Sequence, residues 1–131
     1  MPSIIIASDK LKTGKTMVTS VFSSYANLKG ISTSIMDSYY NDFSNFSTVP
    51  DWVEMDRISG IEGSIPEKIS DKDIQDISKK ISSASNQKLL ITESHLVNIE
   101  DNKRIAEFSK SKVVMICDFN SDIKKIKEEL G

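Results

Sequence analysis

Residues 4–30 read IIIASDKLKTGKTMVTSVFSSYANLKG. The stretch opens on a short β-branched run without alternation, Ile4, Ile5, Ile6 and Ala7, as expected of a strand in a parallel sheet covered on both faces. Beyond it Met17, Val18, Val21, Phe22, Tyr25 and Leu28 recur at helical spacing, and Gly30 stands where a helix closes in the left-handed conformation. Strand, tight loop and helix N-terminus form the setting in which G-x-x-x-x-G-K-[ST] binds phosphate. Successive backbone N–H groups and the helix dipole there converge on one anion.

Gly14, Lys15 and Thr16 match the end of that pattern, while its first glycine falls at Asp9. Lys10 stands where the variant form K-G-G-x-G-K-T carries an extra lysine, with Leu11 and Lys12 replacing that form's glycines. In such a loop Gly14 lets the backbone approach the phosphates, Lys15 reaches the β- and γ-phosphates, and the Thr16 hydroxyl holds Mg²⁺. Asp9, Lys10, Lys12, Thr13, Gly14, Lys15 and Thr16 are therefore the candidate nucleotide-binding residues, with Lys15 and Lys10 as the candidate catalytic cations.

Working outward, 131 residues suit one domain spanning 1–131, short for a nucleotide hydrolase of this architecture. Seventeen basic and nineteen acidic residues give a formal charge of −2 without a long basic block, so nucleic acid is not an expected partner. No apolar stretch is long enough to span a membrane, and the chain starts directly in a strand without a signal-peptide layout. The single cysteine, Cys117, ends the apolar run 113–117 and is expected to pack inside; with no internal disulfide, a reducing, cytoplasmic setting follows.

A second strand is expected at 32–36, ending at Asp37. Residues 38–70 change to Ser, Asn, Asp and aromatics without sustained periodicity, and read as a long loop-rich segment with a short helix near 52–57. Its aromatics Tyr39, Tyr40, Phe43, Phe46 and Trp52 favour a satellite core over simple disorder. Ser70 and Asp73 then form a capping box for a helix over 71–83, with Ile74, Ile77 and Ile81 as its stripe. A third strand at 88–92 ends at Glu93, and a helix over 100–109 buries Ile105 and Phe108. A fourth strand at 112–117 precedes a last helix capped by Ser121, with Ile123, Ile126 and Leu130 inward. The order β-α-β-loop-α-β-α-β-α predicts an α/β fold: a three-layer, doubly wound, mainly parallel sheet that binds ligand beyond the carboxyl ends of its strands. Asp9, Asp37, Glu93 and Asp118 fall at those ends.

The opening strand, loop and helix over 4–22, with LLITE at 89–93 and the strand after it, resemble the dethiobiotin synthetase-like branch of P-loop proteins. That branch includes the N-terminal domain of some phosphotransacetylases and is related to the cobyrinic acid amide synthase and ParA/MinD groups. The resemblance implies Mg²⁺-dependent nucleotide binding, ATP ahead of GTP, with Lys15 on the phosphates. It implies a metal site made by Thr16, Glu93 and one further Asp. Asp51 is preferred for that role on its offset from the second strand, with Asp37 and Asp56 as competitors. Lys10 either neutralises phosphate in its own site or reaches across a homodimer, as the corresponding lysine does in relatives. An unidentified small-molecule acceptor is implied if phosphoryl transfer occurs.

The chain departs from the synthetases in two places. Glu93 is followed by Ser94, His95 and Leu96 where they carry a glycine-rich E-G-x-G-G loop, and Asp37 stands near the position of their substrate lysine. Dethiobiotin synthesis is therefore not expected. The readings carried forward are a hydrolase or phosphoryl-transfer enzyme and, as the alternative, a non-enzymatic regulatory or scaffold domain that senses nucleotide or has lost it. His95 is read equally as a γ-phosphate contact or a solvated loop residue.

Overall fold

The computed structural model describes residues 3–9, 15–37, 56–58, 68–85, 88–94, 96–118 and 121–131, with residues 16, 37 and 56–58 as backbone. The elements run β1 (Ser3–Ser8), α1 (Lys15–Leu28), β2 (Thr33–Asp37), β3 (Asp56–Ile58), α2 (Asp71–Ala84), β4 (Leu89–Glu93), α3 (Ile99–Ser109), β5 (Lys112–Ile116) and α4 (Ile123–Leu130). The strands form one sheet in the order β3-β2-β4-β1-β5. Every pairing is parallel.

That order explains the unalternating apolar run of β1. Ile5 and Ala7 join Met36, Leu90, the α2 stripe Ile74, Ile77 and Ile81, and Ile105 and Ala106 of α3 in one core. Ile6 joins Ile35 and Ile91 on the opposite face, with Ile4 and, from α1, Val18 and Phe22 packed against them. Adjacent residues thus serve opposite cores, so both must be apolar. The connection from β1 runs over β4 to β2, whereas that from β4 runs over β1 to β5. Right-handed crossovers in opposite directions put α1 on one face and α3 on the other. The result is the expected three-layer α/β sandwich.

Local signals set the helix ends. Gly30, at φ 78°, closes α1, with the Ile31 N–H on the Ala26 carbonyl and the Gly30 N–H on the Asn27 carbonyl. Ser70 Oγ accepts from the Asp73 N–H at 3.2 Å, the expected cap of α2. Asn98 Oδ1 accepts from the Asp101 N–H at 3.0 Å at the start of α3. Lys110 ends that helix at φ 58°, a left-handed position without glycine.

Several expectations are corrected. Asp56–Ile58 is a strand paired with β2, not the end of a short helix; residues 52–55 lie outside the described set. Asp122, not Ser121, caps α4, its Oδ1 accepting from the Lys125 N–H. Phe108 is 59% exposed because α3 turns Asp101, Asn102, Ile105, Ala106 and Ser109 inward instead. Ile123 is 53% exposed, since α4 is short and buries only Ile126. Cys117 is exposed, one residue beyond the last residue of β5. The aromatics of 38–55 lie outside the described residues. Among the described residues no helix is long and apolar enough to cross a membrane.

Candidate functional site at the strand ends

Strands β1 and β4 are neighbours whose following connections leave in opposite directions, and in open α/β sheets such a switch point is where the ligand crevice lies, beyond the carboxyl ends of the strands. The register places Ile6 level with Glu93, and the Ser94 N–H donates to the Ile6 carbonyl at 2.9 Å. Ser8, Glu93 and the start of α1 therefore meet at this point.

Lys15 is the first residue of α1 and is only 6% exposed. Its Nζ donates to Ser8 Oγ at 3.2 Å, turning the ammonium back over the end of β1. Glu93, 2% exposed, faces it electrostatically from the end of β4. Burial pushes the Lys15 ammonium below its ordinary value, and the Glu93 carboxylate pulls it part of the way back. Thr19, one turn into the helix, satisfies its buried hydroxyl by donating to the Lys15 carbonyl at 2.9 Å. A lysine and a glutamate brought together in a dry crevice give a concentrated, adjustable charge. The cation can be drawn towards an arriving anion and the carboxylate released to a hard metal ion.

The β2–β4 register sets Asp37 level with Glu93, so these acids end adjacent strands. Asp56 pairs with Ser34, three residues back from Asp37 and about 10 Å from the carboxyl edge at the rise of an extended strand. Asp9 Oδ1 accepts from Ser121 Oγ at 3.0 Å, tying the residue after β1 to the segment between β5 and α4. Thr16 follows Lys15 on the first turn of α1. Lys10, Lys12, Thr13, Gly14, Asp51 and His95 lie outside the described residues. Among the described residues no group of three His, Cys, Asp or Glu side chains could hold a metal ion. Of the described side chains at this point, the Glu93 carboxylate is the hard oxygen donor of the type that Mg²⁺ takes.

The loop after β4 is fastened by residues that the sequence reading passed over. Asn102, fully buried, accepts from Ser94 Oγ at 2.5 Å and donates through Nδ2 to the Leu96 carbonyl at 2.9 Å and the Asn98 carbonyl at 3.2 Å. Asp101 Oδ2 accepts from the Ile69 N–H at 3.0 Å, joining the approach to α2 to α3. A signal was present. Stepping back three and four residues from Ile105 gives Asn102 and Asp101, polar side chains on the inward stripe.

A separate cleft of about 780 Å³ lies between the start of α3 and α4, lined by Asp9, Asn98, Glu100, Asp122, Lys125 and Glu129 among others. Four carboxylates against one lysine make it repulsive to phosphate. The anion reading therefore rests on the Lys15 crevice.

Fold and site together define a three-layer parallel α/β protein with a buried lysine–carboxylate pair at its topological switch point. No family model matches the chain, and no curated protein matches it. Solved structures do match, among them the crystal structure of the chimerical protein CapA2B2. It has a TM-score of 0.67 and 19% identity over 98% of this chain and 70% of that one. At that identity the likeness shows the fold alone.

Proposed function

We propose that this chain binds the phosphates of a nucleotide, ATP ahead of GTP, together with Mg²⁺, in the crevice between β1 and β4. The observation that carries the reading is Lys15. A strand, a loop ending Gly14-Lys15-Thr16 and a helix N-terminus deliver its ammonium, dry and opposite Glu93, to the place where a parallel sheet binds ligand. When polyphosphate arrives, Lys15 exchanges Ser8 Oγ for phosphate oxygens, a stronger charge-assisted contact. Glu93 and Thr16 hold the metal, which supplies charge neutralisation between the phosphates. Asp51, chosen on spacing, and Asp37, whose backbone lies level with Glu93, are the carboxylates proposed to complete that shell. Lys10 adds a second cation to the loop.

The test is calorimetric titration with non-hydrolysable ATP and GTP analogues, each with and without Mg²⁺. Binding that needs Mg²⁺ and is lost in Lys15→Ala is expected; unchanged affinity in that variant would overturn the assignment. Asp37→Asn and Asp51→Asn, measured the same way, identify the further carboxylate by which one weakens the Mg²⁺ dependence. Phosphate release from bound ATP separates a phosphoryl-transfer enzyme from a nucleotide-sensing domain.

A further inference from the structure

Helix α1 packs Val18 and Phe22 on the sheet but turns a second row of large apolar side chains away from the core. Beside those two, Lys15, Thr19, Ser23 and Ala26 are its buried positions. Met17, Val21, Tyr25 and Leu28 are instead 72%, 61%, 62% and 77% exposed, and Ile31, just beyond the helix, is 42% exposed. Positions i, i+4, i+8 and i+11 form one continuous stripe on a helix. No acidic or basic residue occurs from Thr16 through Leu28, in a chain of which 27% is charged. Side chains of these types at these exposures present roughly 600 Å² in one patch, the upper end of what monomers leave open.

We propose that this stripe is a homodimer interface, packed against the same stripe of a second copy about a two-fold axis. Charge selects that occupant. An uncharged face offers an oppositely charged partner nothing to recognise, and two identical uncharged faces meet without the like-charge repulsion that self-association imposes on a charged helix face. Area agrees: two such stripes remove about 1,200 Å² from water, the lower bound of stable specific interfaces. The stripe is also self-complementary. An antiparallel pairing with the axis between Val21 and Tyr25 sets Met17 of one copy against Leu28 of the other, and Val21 against Tyr25, as an isologous contact requires. Tyr25 suits such a place, with an apolar ring and a hydroxyl that can stay wet. Lys29, its Nζ 5.5 Å from the centre of that ring, marks the charged rim.

The experiment is sedimentation velocity on the full chain from about 1 to 100 µM, beside Val21→Glu and Leu28→Glu, each of which alters an exposed position. A wild-type dimer is expected whose dissociation constant rises at least about 100-fold in either variant, because each substitution buries two carboxylates across the axis. The variants should keep the wild-type circular dichroism spectrum and the melting temperature of the dissociated chain. In a Cys117→Ser background, the double variant Val21→Cys/Tyr25→Cys should cross-link the two copies, since those positions face each other across the axis. A wild-type monomer at 100 µM would overturn the proposal, as would a dimer that both glutamates leave intact. A monomer whose glutamate variants melt several degrees lower would overturn it too, since the chain's own remaining residues would then cover the stripe.

Discussion

Replacing Glu93 by glutamine removes a buried negative charge while keeping the shape of the side chain, so it isolates what that carboxylate does for Lys15. Both side chains are inside, at 2% and 6% exposure. Burial lowers the Lys15 ammonium from its ordinary value of 10.5, and Glu93 opposes that fall. Removing one partner of a buried ion pair costs roughly 3–5 kcal/mol, because the other charge is left uncompensated. Glu93→Gln should therefore cost about 3 kcal/mol of unfolding free energy, because a buried ammonium is left without its carboxylate. Lys15→Met should cost a similar amount for the mirrored reason. The double variant should cost well under the sum, leaving a coupling energy of about 2–3 kcal/mol. Urea unfolding of the four proteins at pH 7, followed by circular dichroism and fitted as two-state, supplies the cycle. A coupling below about 0.5 kcal/mol, the scatter of independent sites, would refute the pairing. The same proteins carry a pH signature. Because folded Lys15 gives up its proton below the ordinary value, the unfolded chain holds more protons between that lowered value and 10.5. The contribution of Lys15 to stability thus rises with pH across that window, and Lys15→Met should lose the rise.

Lys110 holds a left-handed conformation at the end of α3 that a side chain disfavours, so Lys110→Gly should stabilise the fold by about 0.5–1 kcal/mol in urea unfolding. A loss of stability there would contradict the left-handed cap. Asn102→Ala removes three hydrogen bonds at once, two of them buried, and should cost about 2–4 kcal/mol. It should also speed amide hydrogen exchange at Leu96, the residue whose N–H is held by Ser94 Oγ; unaltered exchange would mean that the loop after β4 does not depend on Asn102.

Much of the architecture is legible locally. A strand buried on both faces must be apolar at consecutive positions, and β1 is. A helix end needs a capping oxygen or a left-handed residue, and Ser70 and Gly30 supply them. Such signals live within one turn or one strand, so the order of elements and the parallel sheet could be read from them. The failures share a cause as well. Asp56–Ile58 is too short to show a period and is a strand only because β2 lies beside it. Phe108 fits a helical stripe on paper, yet which side of α3 faces inward is settled by the sheet and α2, and they select Asn102 and Asp101.

The candidate site divides along the same line. Its anchor residues, Lys15 and Glu93, were marked by their places after β1 and at the end of β4, because loop chemistry and strand ends are local properties of a chain. That Ser8 receives the Lys15 ammonium, that Asp37 stands level with Glu93 while Asp56 does not, and that Met17, Val21, Tyr25 and Leu28 of α1 face outward follow only from the strand order and register. Those are outcomes of how residues far apart in sequence share two buried cores, and no pattern confined to one segment encodes them.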